Sequence, residues 1–222
     1  SNPVSISDNH VRSVIQDTTG ILWVATTGGL NRFFSHSKEF IHYTHNPDDT
    51  SSLTHNTVYK VLKDKDGEIW LGTWGGGLDK VEKIKENLTD ERKARYKFHH
   101  HKHSESINSI SSDWITDMAE DSEGGIWIAT NDGLNKYNKN TNEFTIFKHD
   151  TKNLNSLSSN DISAVCIDSK GKIWVGTWGD GLNIIDPATN KISHYRNIPL
   201  DKYSISHDII MELYCDKSGN IW

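Results

Sequence analysis

Two glycine-rich stretches each carry a tryptophan that a turn does not need: Thr73-Trp74-Gly-Gly-Gly77 and Thr177-Trp178-Gly-Asp180-Gly181. An indole presents a flat apolar face with one N–H at its edge. That suits stacking against a sugar ring whose hydroxyls bind neighbouring carboxylates and amides. Packing against the next loop explains the same residues equally well, and glycines serve both close ligand approach and tight turns. Two shorter stretches, Thr26-Thr-Gly-Gly29 and Thr130-Asn131-Asp132-Gly133, occupy corresponding places. A second set of turns holds His10, His55-Asn56, Asp113-Trp114, Asn160-Asp161 and His207-Asp208. Most of these are ordinary turn formers that bond their own backbone; Trp114 is not. The candidate ligand-binding residues are therefore Trp74, Trp178, Trp114, Asp180, Asn131, Asp132 and His55.

Other chemistry finds little footing. An acid–base pair would have to come from His55, His207 and Asp180, and nothing in their spacing requires it. His99, His100, His101 and His103 follow an insertion of nine or ten residues. Alternation along a strand places His99, His101 and His103 on one face, but no Cys or paired carboxylate completes a metal site, and surface decoration is the plainer reading. Five Asp-x-x-Gly stretches lack the further acidic positions of a calcium loop. No Gly-x-Ser-x-Gly, phosphate-binding glycine loop or His-Glu-x-x-His occurs. No catalytic residue, metal or cofactor is expected.

The elements that must position these residues are repeats. Asp-x-x-Gly-x-(Ile/Leu)-Trp recurs at Asp17–Trp23, Asp64–Trp70, Asp121–Trp127, Asp168–Trp174 and Asp216–Trp222, with the Trp residues 47, 57, 47 and 48 positions apart. Ala/Gly-Thr and then Gly-Leu-(Asn/Asp) follow in four copies, as in Gly181-Leu182-Asn183, and a Ser stands eighteen residues before every Trp. A period of this size marks a repeat architecture. Short β-branched runs at 11–15, 58–62, 115–119, 162–167 and 209–214 predict a first strand in each copy. Asp-x-x-Gly predicts a type I turn with Gly left-handed. The Trp strand is apolar on both faces, hence covered on both sides. The small residue two places beyond the Trp leaves room for a bulky neighbour. A third strand begins at Gly-Leu-Asn, and 40–43, 96–98, 144–147 and 192–195 predict a fourth.

Four antiparallel strands per repeat of this length predict an all-β chain of β-propeller blades. A sandwich does not need five near-identical repeats, and a β-helix coil is far shorter. Residues 1–222 make one array with repeats at about 5–48, 52–105, 109–152, 156–200 and an incomplete 204–222. About four and a half repeats are too few for a seven-bladed ring. The chain is thus expected to be a fragment of a larger propeller, or to pair as a homodimer that covers the open blade faces. In such an array the candidate residues fall on one rim.

Composition suits this reading. The net charge is −6 with no basic stripe, which argues against nucleic acid. No signal peptide or membrane-spanning run is present. Cys166 lies eight residues before its Trp and Cys215 seven before its own. Opposite parity on their strands predicts free buried thiols rather than a disulfide.

The pattern Asp-x-x-Gly-x-(Ile/Leu)-Trp-x-(Gly/Ala)-Thr followed by Gly-Leu-Asn closely resembles the two-component regulator propeller repeat, across essentially the whole chain. A WD repeat would instead end its strand in Trp-Asp. The resemblance implies the periplasmic sensor region of a hybrid two-component system of the Bacteroidetes type. Such regions carry two seven-bladed propellers and an immunoglobulin-like domain, followed by a membrane span, a histidine kinase and often a DNA-binding response regulator. It implies an oligosaccharide ligand from dietary or host glycans, and the remaining propeller and immunoglobulin-like domains as partners, with no direct membrane contact. This chain has no kinase or DNA-binding motif and would carry sensing alone. The rival functions are a propeller enzyme of lyase or glycosidase type and a protein-interaction scaffold.

Overall fold

A computed structural model describes residues 5–84, 89–216 and 218–222. Sixteen strands form four sheets, each antiparallel and in sequence order. The first holds β1 (Val11–Gln16), β2 (Leu22–Thr26), β3 (Gly29–Phe34) and β4 (Glu39–Tyr43). The second holds β5 (Val58–Lys63), β6 (Ile69–Thr73), β7 (Leu78–Lys83) and β8 (Tyr96–His101), with a one-turn 3₁₀ helix at Glu91–Lys93 between β7 and β8. The third holds β9 (Ile115–Glu120), β10 (Ile126–Thr130), β11 (Gly133–Asn138) and β12 (Glu143–Phe147). The fourth holds β13 (Ile162–Ile167), β14 (Ile173–Thr177), β15 (Leu182–Asp186) and β16 (Lys191–Tyr195). These are the expected blades. Among the described residues no helix is long and apolar enough to cross a membrane.

The chain forms two compact units, residues 1–102 with 113–115, and residues 103–112 with 116–222. The core of the first contains Trp23, Leu30, Leu53, Val61, Leu71 and Phe98. The core of the second contains Trp127, Leu134, Leu157, Val165, Val175 and Ile185. The Trp strands are covered on both faces as their pattern requires: every residue of β6 and β10 is buried. The small residue beyond the Trp does make room. A Cβ at Gly72 would lie 2.5 Å from the Ile115 side chain, and one at Gly176 would lie 2.6 Å from Ile210.

Each Asp-x-x-Gly closes its turn with the glycine left-handed, at φ 86°, 84°, 87°, 79° and 86° for Gly20, Gly67, Gly124, Gly171 and Gly219. The aspartate does more than turn. One carboxylate oxygen of Asp17, Asp64, Asp121, Asp168 and Asp216 accepts two backbone N–H groups of its own turn. The other oxygen accepts the indole N–H of the repeat's Trp at 2.8–3.0 Å. A buried indole N–H needs such a partner, and this explains why Asp and Trp recur together.

Two expectations fail. Residues 209–214 do not form a strand; only isolated bridges (Trp178 with Ile209, Cys215 with Ile221) occur there, because an apolar run becomes a strand only when a full partner ladder satisfies it. Cys166 and Cys215 are also not free thiols: they form a disulfide, with Cα atoms 6.2 Å apart. Opposite parity separates two residues within one sheet, but these belong to different repeats stacked face to face. There, opposite faces are the ones that meet, and both cysteines lie in a shared cluster with Leu182 and Leu213.

Candidate functional site

Much of the repeat's polar signature is consumed by the framework. The Asn or Asp of each Gly-Leu-(Asn/Asp) is fully buried and accepts the backbone N–H of the Ser or Thr two places beyond the Ser that opens its repeat: Asn31 from Ser7, Asp79 from Thr54, Asn135 from Ser111 and Asn183 from Ser158, at 2.9–3.0 Å. The Thr ending each Trp strand donates to the carbonyl of the loop's last glycine, as Thr73 does to Gly77 at 2.8 Å. Function must come from residues outside this scheme.

In the first unit, loop 73–77 is such a place. The Trp74 N–H donates to the Thr57 carbonyl at 2.9 Å, and the N–H groups of Gly75 and Gly77 both donate to the Asp113 carbonyl at 3.0 Å. Gly76 is pressed onto the preceding turn, where a Cβ would lie 2.6 Å from the Thr54 hydroxyl. The backbone thus holds the Trp74 side chain in a fixed place. Its ring stacks on Tyr59 (centroids 5.0 Å, planes 24° apart) and meets Trp114 edge-on (5.0 Å, 69°). The Arg12 guanidinium lies 4.8 Å from the centre of the Tyr59 ring. Trp114 is 43% exposed. Arg12, Tyr59, Trp74 and Trp114 therefore form a ladder with an open aromatic end. His55 stands beside it, its Nδ1 accepting the Thr57 N–H at 3.1 Å, which is turn chemistry.

In the second unit the other candidates find partners of their own. Trp178 donates its backbone N–H to Asp161 at 3.2 Å and is half-buried. Asp180 is ion-paired with Arg196 at 2.7 Å. Asp132 pairs with Lys148 at 2.7 Å, and Asn131 accepts the Ser112 hydroxyl at 2.6 Å. Burial pushes the Asp161 carboxyl above its usual range. His207 Nδ1 accepts the Ile209 N–H at 2.9 Å, repeating the turn role of His55. The structure thus brings Trp74 and Trp114 together and gives Asp180, Asp132 and Asn131 local anchors.

Sequence reasoning missed Tyr59 and Arg12. Both follow the first β-branched residue of an inner strand, where the other repeats carry Thr116, Ser163 and Ile210. A side chain that varies inside an otherwise repeated strand was the available signal. The histidine run disperses instead of clustering. β8 ends at His101; His99 bonds Glu82, His100 bonds Asp79 at 2.8 Å, His101 lies over Trp70, and His103 donates from Nδ1 to the Ile110 carbonyl at 2.8 Å. The Asp79 bond and its charge raise the His100 pKa above the ordinary value, while burial lowers that of His101.

Repeated four-stranded blades with an Asp–Trp clamp and a Thr-headed loop define a β-propeller of regulatory repeat type. Residues 5–28, 52–75, 109–132 and 156–179 match the two-component regulator propeller family. Those four stretches are repeats of that family. Among solved structures it is similar to the extracellular domain of a hybrid two-component system from B. thetaiotaomicron, at 24% identity and TM-score 0.74, over 98% of this chain and 27% of that one. It is also similar to PorZ, a surface component of the type-IX secretion system of Porphyromonas gingivalis (16%, TM-score 0.66, 95% and 30%). A streptogramin B lyase shares the fold too (15%, TM-score 0.63, 98% and 63%). The chain spans less than a third of the first two structures. No curated protein matches it.

Proposed function

We propose that this chain is the ligand-sensing propeller part of a periplasmic sensor in a hybrid two-component system, and that an oligosaccharide binds on the Tyr59–Trp74–Trp114 ladder. The observation that carries the ligand site is the ladder itself. Loop 73–77 is held by backbone hydrogen bonds, the Trp74 ring touches Tyr59 and Trp114, and Trp114 is 43% exposed. An aromatic face of this kind complements the apolar face of a pyranose, and the Arg12 guanidinium at the far end supplies hydrogen-bond donors. The family match and the likeness to an extracellular sensor domain support the sensory role. In this reading the chain performs no chemistry. Its output is a change in how it sits against the remaining propeller and immunoglobulin-like domains of its parent, whose histidine kinase carries the signal onward.

The test is a thermal-shift screen against a panel of glycan oligosaccharides. A ligand that binds the folded state raises the melting temperature by mass action. The expected result is a response that Trp114→Ala and Tyr59→Ala each abolish. A response that survives both substitutions refutes the site, and binding to a protein but to no glycan refutes the ligand class.

A further inference from the structure

Arg32 on β3 is fully buried, yet its Nε and Nη2 have no hydrogen-bond partner among the described residues. The same repeat position holds Lys80 on β7 and Lys136 on β11. Each of those lies 5.4 Å over the Trp of its own repeat and is paired with a carboxylate, Lys80 with Glu68 at 2.6 Å and Lys136 with Asp121 at 2.8 Å. Arg32 keeps the place over the Trp, 5.2 Å from Trp23. It makes no such short pair: Ile21 stands where the second repeat has Glu68, and Asp17, the counterpart of Asp121, is not bonded to its Nε or Nη2. The ring of Tyr96 at 4.7 Å and that of Phe34 at 5.0 Å complete an aromatic cage.

What the cage does supply satisfies only one edge of the guanidinium. Nη1 donates to the Glu91 carbonyl at 3.3 Å and reaches the Tyr43 hydroxyl at 3.5 Å. The nearest carboxylate among the described residues, that of Glu91, stays 3.8 Å from Nη2, beyond hydrogen-bond reach, while Lys83 holds both its oxygens at 2.7 Å. Nε and Nη2 are adjacent, and together they form the edge that grips a carboxylate with two parallel bonds. Buried donors left without acceptors are costly, more so when charged. Phe34 and Glu91, both touching Arg32, line a cavity of about 440 Å³ together with His36, Ser37, Asp90 and Arg92; Arg32 lies buried behind them and does not itself line it. That volume falls within the range of small-molecule sites.

We propose that this cavity is a second ligand site, separate from the aromatic ladder, for a small carboxylate-bearing molecule whose carboxylate takes the Nε–Nη2 edge of Arg32. Phe34 covers the ligand's apolar side, and Ser37 and His36 meet its polar groups. The Glu91 carboxylate gives way as the ligand enters.

The probe is glucuronate, with glucose as its neutral counterpart and inorganic phosphate as an anion lacking a carboxylate, all at equal ionic strength. Glucuronate should raise the melting temperature by about 3–6 °C at about ten times its Kd, and glucose and phosphate should not. Arg32→Gln should abolish the shift. Glu91→Gln removes the nearest competing anion and leaves the buried arginine in place, so it should enlarge the shift. In the unmodified chain the Arg32 Nε–H resonance should move on titration, a readout that needs no Arg32 variant to fold. No shift with glucuronate in either the unmodified chain or Glu91→Gln overturns the proposal. So does a shift that persists in Arg32→Gln, an equal response to phosphate, or an Arg32 resonance that stays still.

Discussion

Loops 73–77 and 177–181 share their length, their leading Thr-Trp and their closing Gly. Their threonines make the same bond, Thr73 to Gly77 at 2.8 Å and Thr177 to Gly181 at 2.9 Å. Their surroundings differ. Trp74 has Tyr59 beneath it and Trp114 at its edge. At the position of Tyr59 the fourth sheet carries Ser163, and Ile209 stands beside Trp178 where Trp114 stands beside Trp74. The framework is copied from repeat to repeat, and the two loops differ in the few positions the repeat leaves free.

The comparison can be broken most forcefully at the disulfide, which only the second unit has. Cys166–Cys215 closes a loop with a sequence separation of 49, and chain-entropy reasoning puts its contribution at about 4 kcal/mol. Reduction should lower the denaturation midpoint of the second unit and leave the first unchanged, as hydrogen exchange would show; equal losses in both would contradict this. The shared framework gives a smaller and symmetrical effect. Thr73→Val and Thr177→Val each take the hydroxyl acceptor from a loop N–H, that of Gly76 and of Asp180, and should each cost about 1–3 kcal/mol. Chemical denaturation would expose a marked asymmetry, which would mean the two loops are not equivalent scaffolds.

Acid should act on both units together, more gently. Burial pushes the carboxyls of Asp17, Asp121 and Asp168 up, but bonds from the Trp indole and turn N–H groups, with Lys136 added at Asp121, outweigh it and hold them below the ordinary range. A carboxylate with a depressed folded pKa contributes stability that is present above its unfolded value, about 4, and is lost as pH falls through the folded pKa. The urea midpoint should therefore be flat above about pH 5 and decline below pH 4. A midpoint that rises on acidification would refute the clamp.

The blades were legible because their determinants are local and repeated five times. Asp-x-x-Gly names its turn, and the alternation around each Trp names its strand. Even the small residue of Gly72 and Gly176 was readable as space for a neighbour. What escaped depends on which repeat faces which. The disulfide required knowing that Cys166 and Cys215 meet across stacked sheets. Tyr59 and Arg12 come from two different inner strands, and only packing brings them to one ladder. The indole bond to Asp17 and its equivalents lies within a single repeat, yet the turn reading concealed it by giving the aspartate a sufficient task. Among the site candidates, Trp74 and Trp114 were named from their misfit with turn chemistry, and they are the pair found in contact. Asp180, Asp132 and Asn131 have local partners that explain them as well.

The central claim is that the ladder, not the tryptophan loop as such, makes the ligand site. Its most direct test is tryptophan-fluorescence titration of one responsive oligosaccharide into Trp74→Ala and Trp178→Ala side by side. The account predicts at least about a tenfold loss of affinity for Trp74→Ala, equivalent to about 1.4 kcal/mol, and an unchanged Kd for Trp178→Ala. Equal losses, or a loss confined to Trp178→Ala, would contradict it.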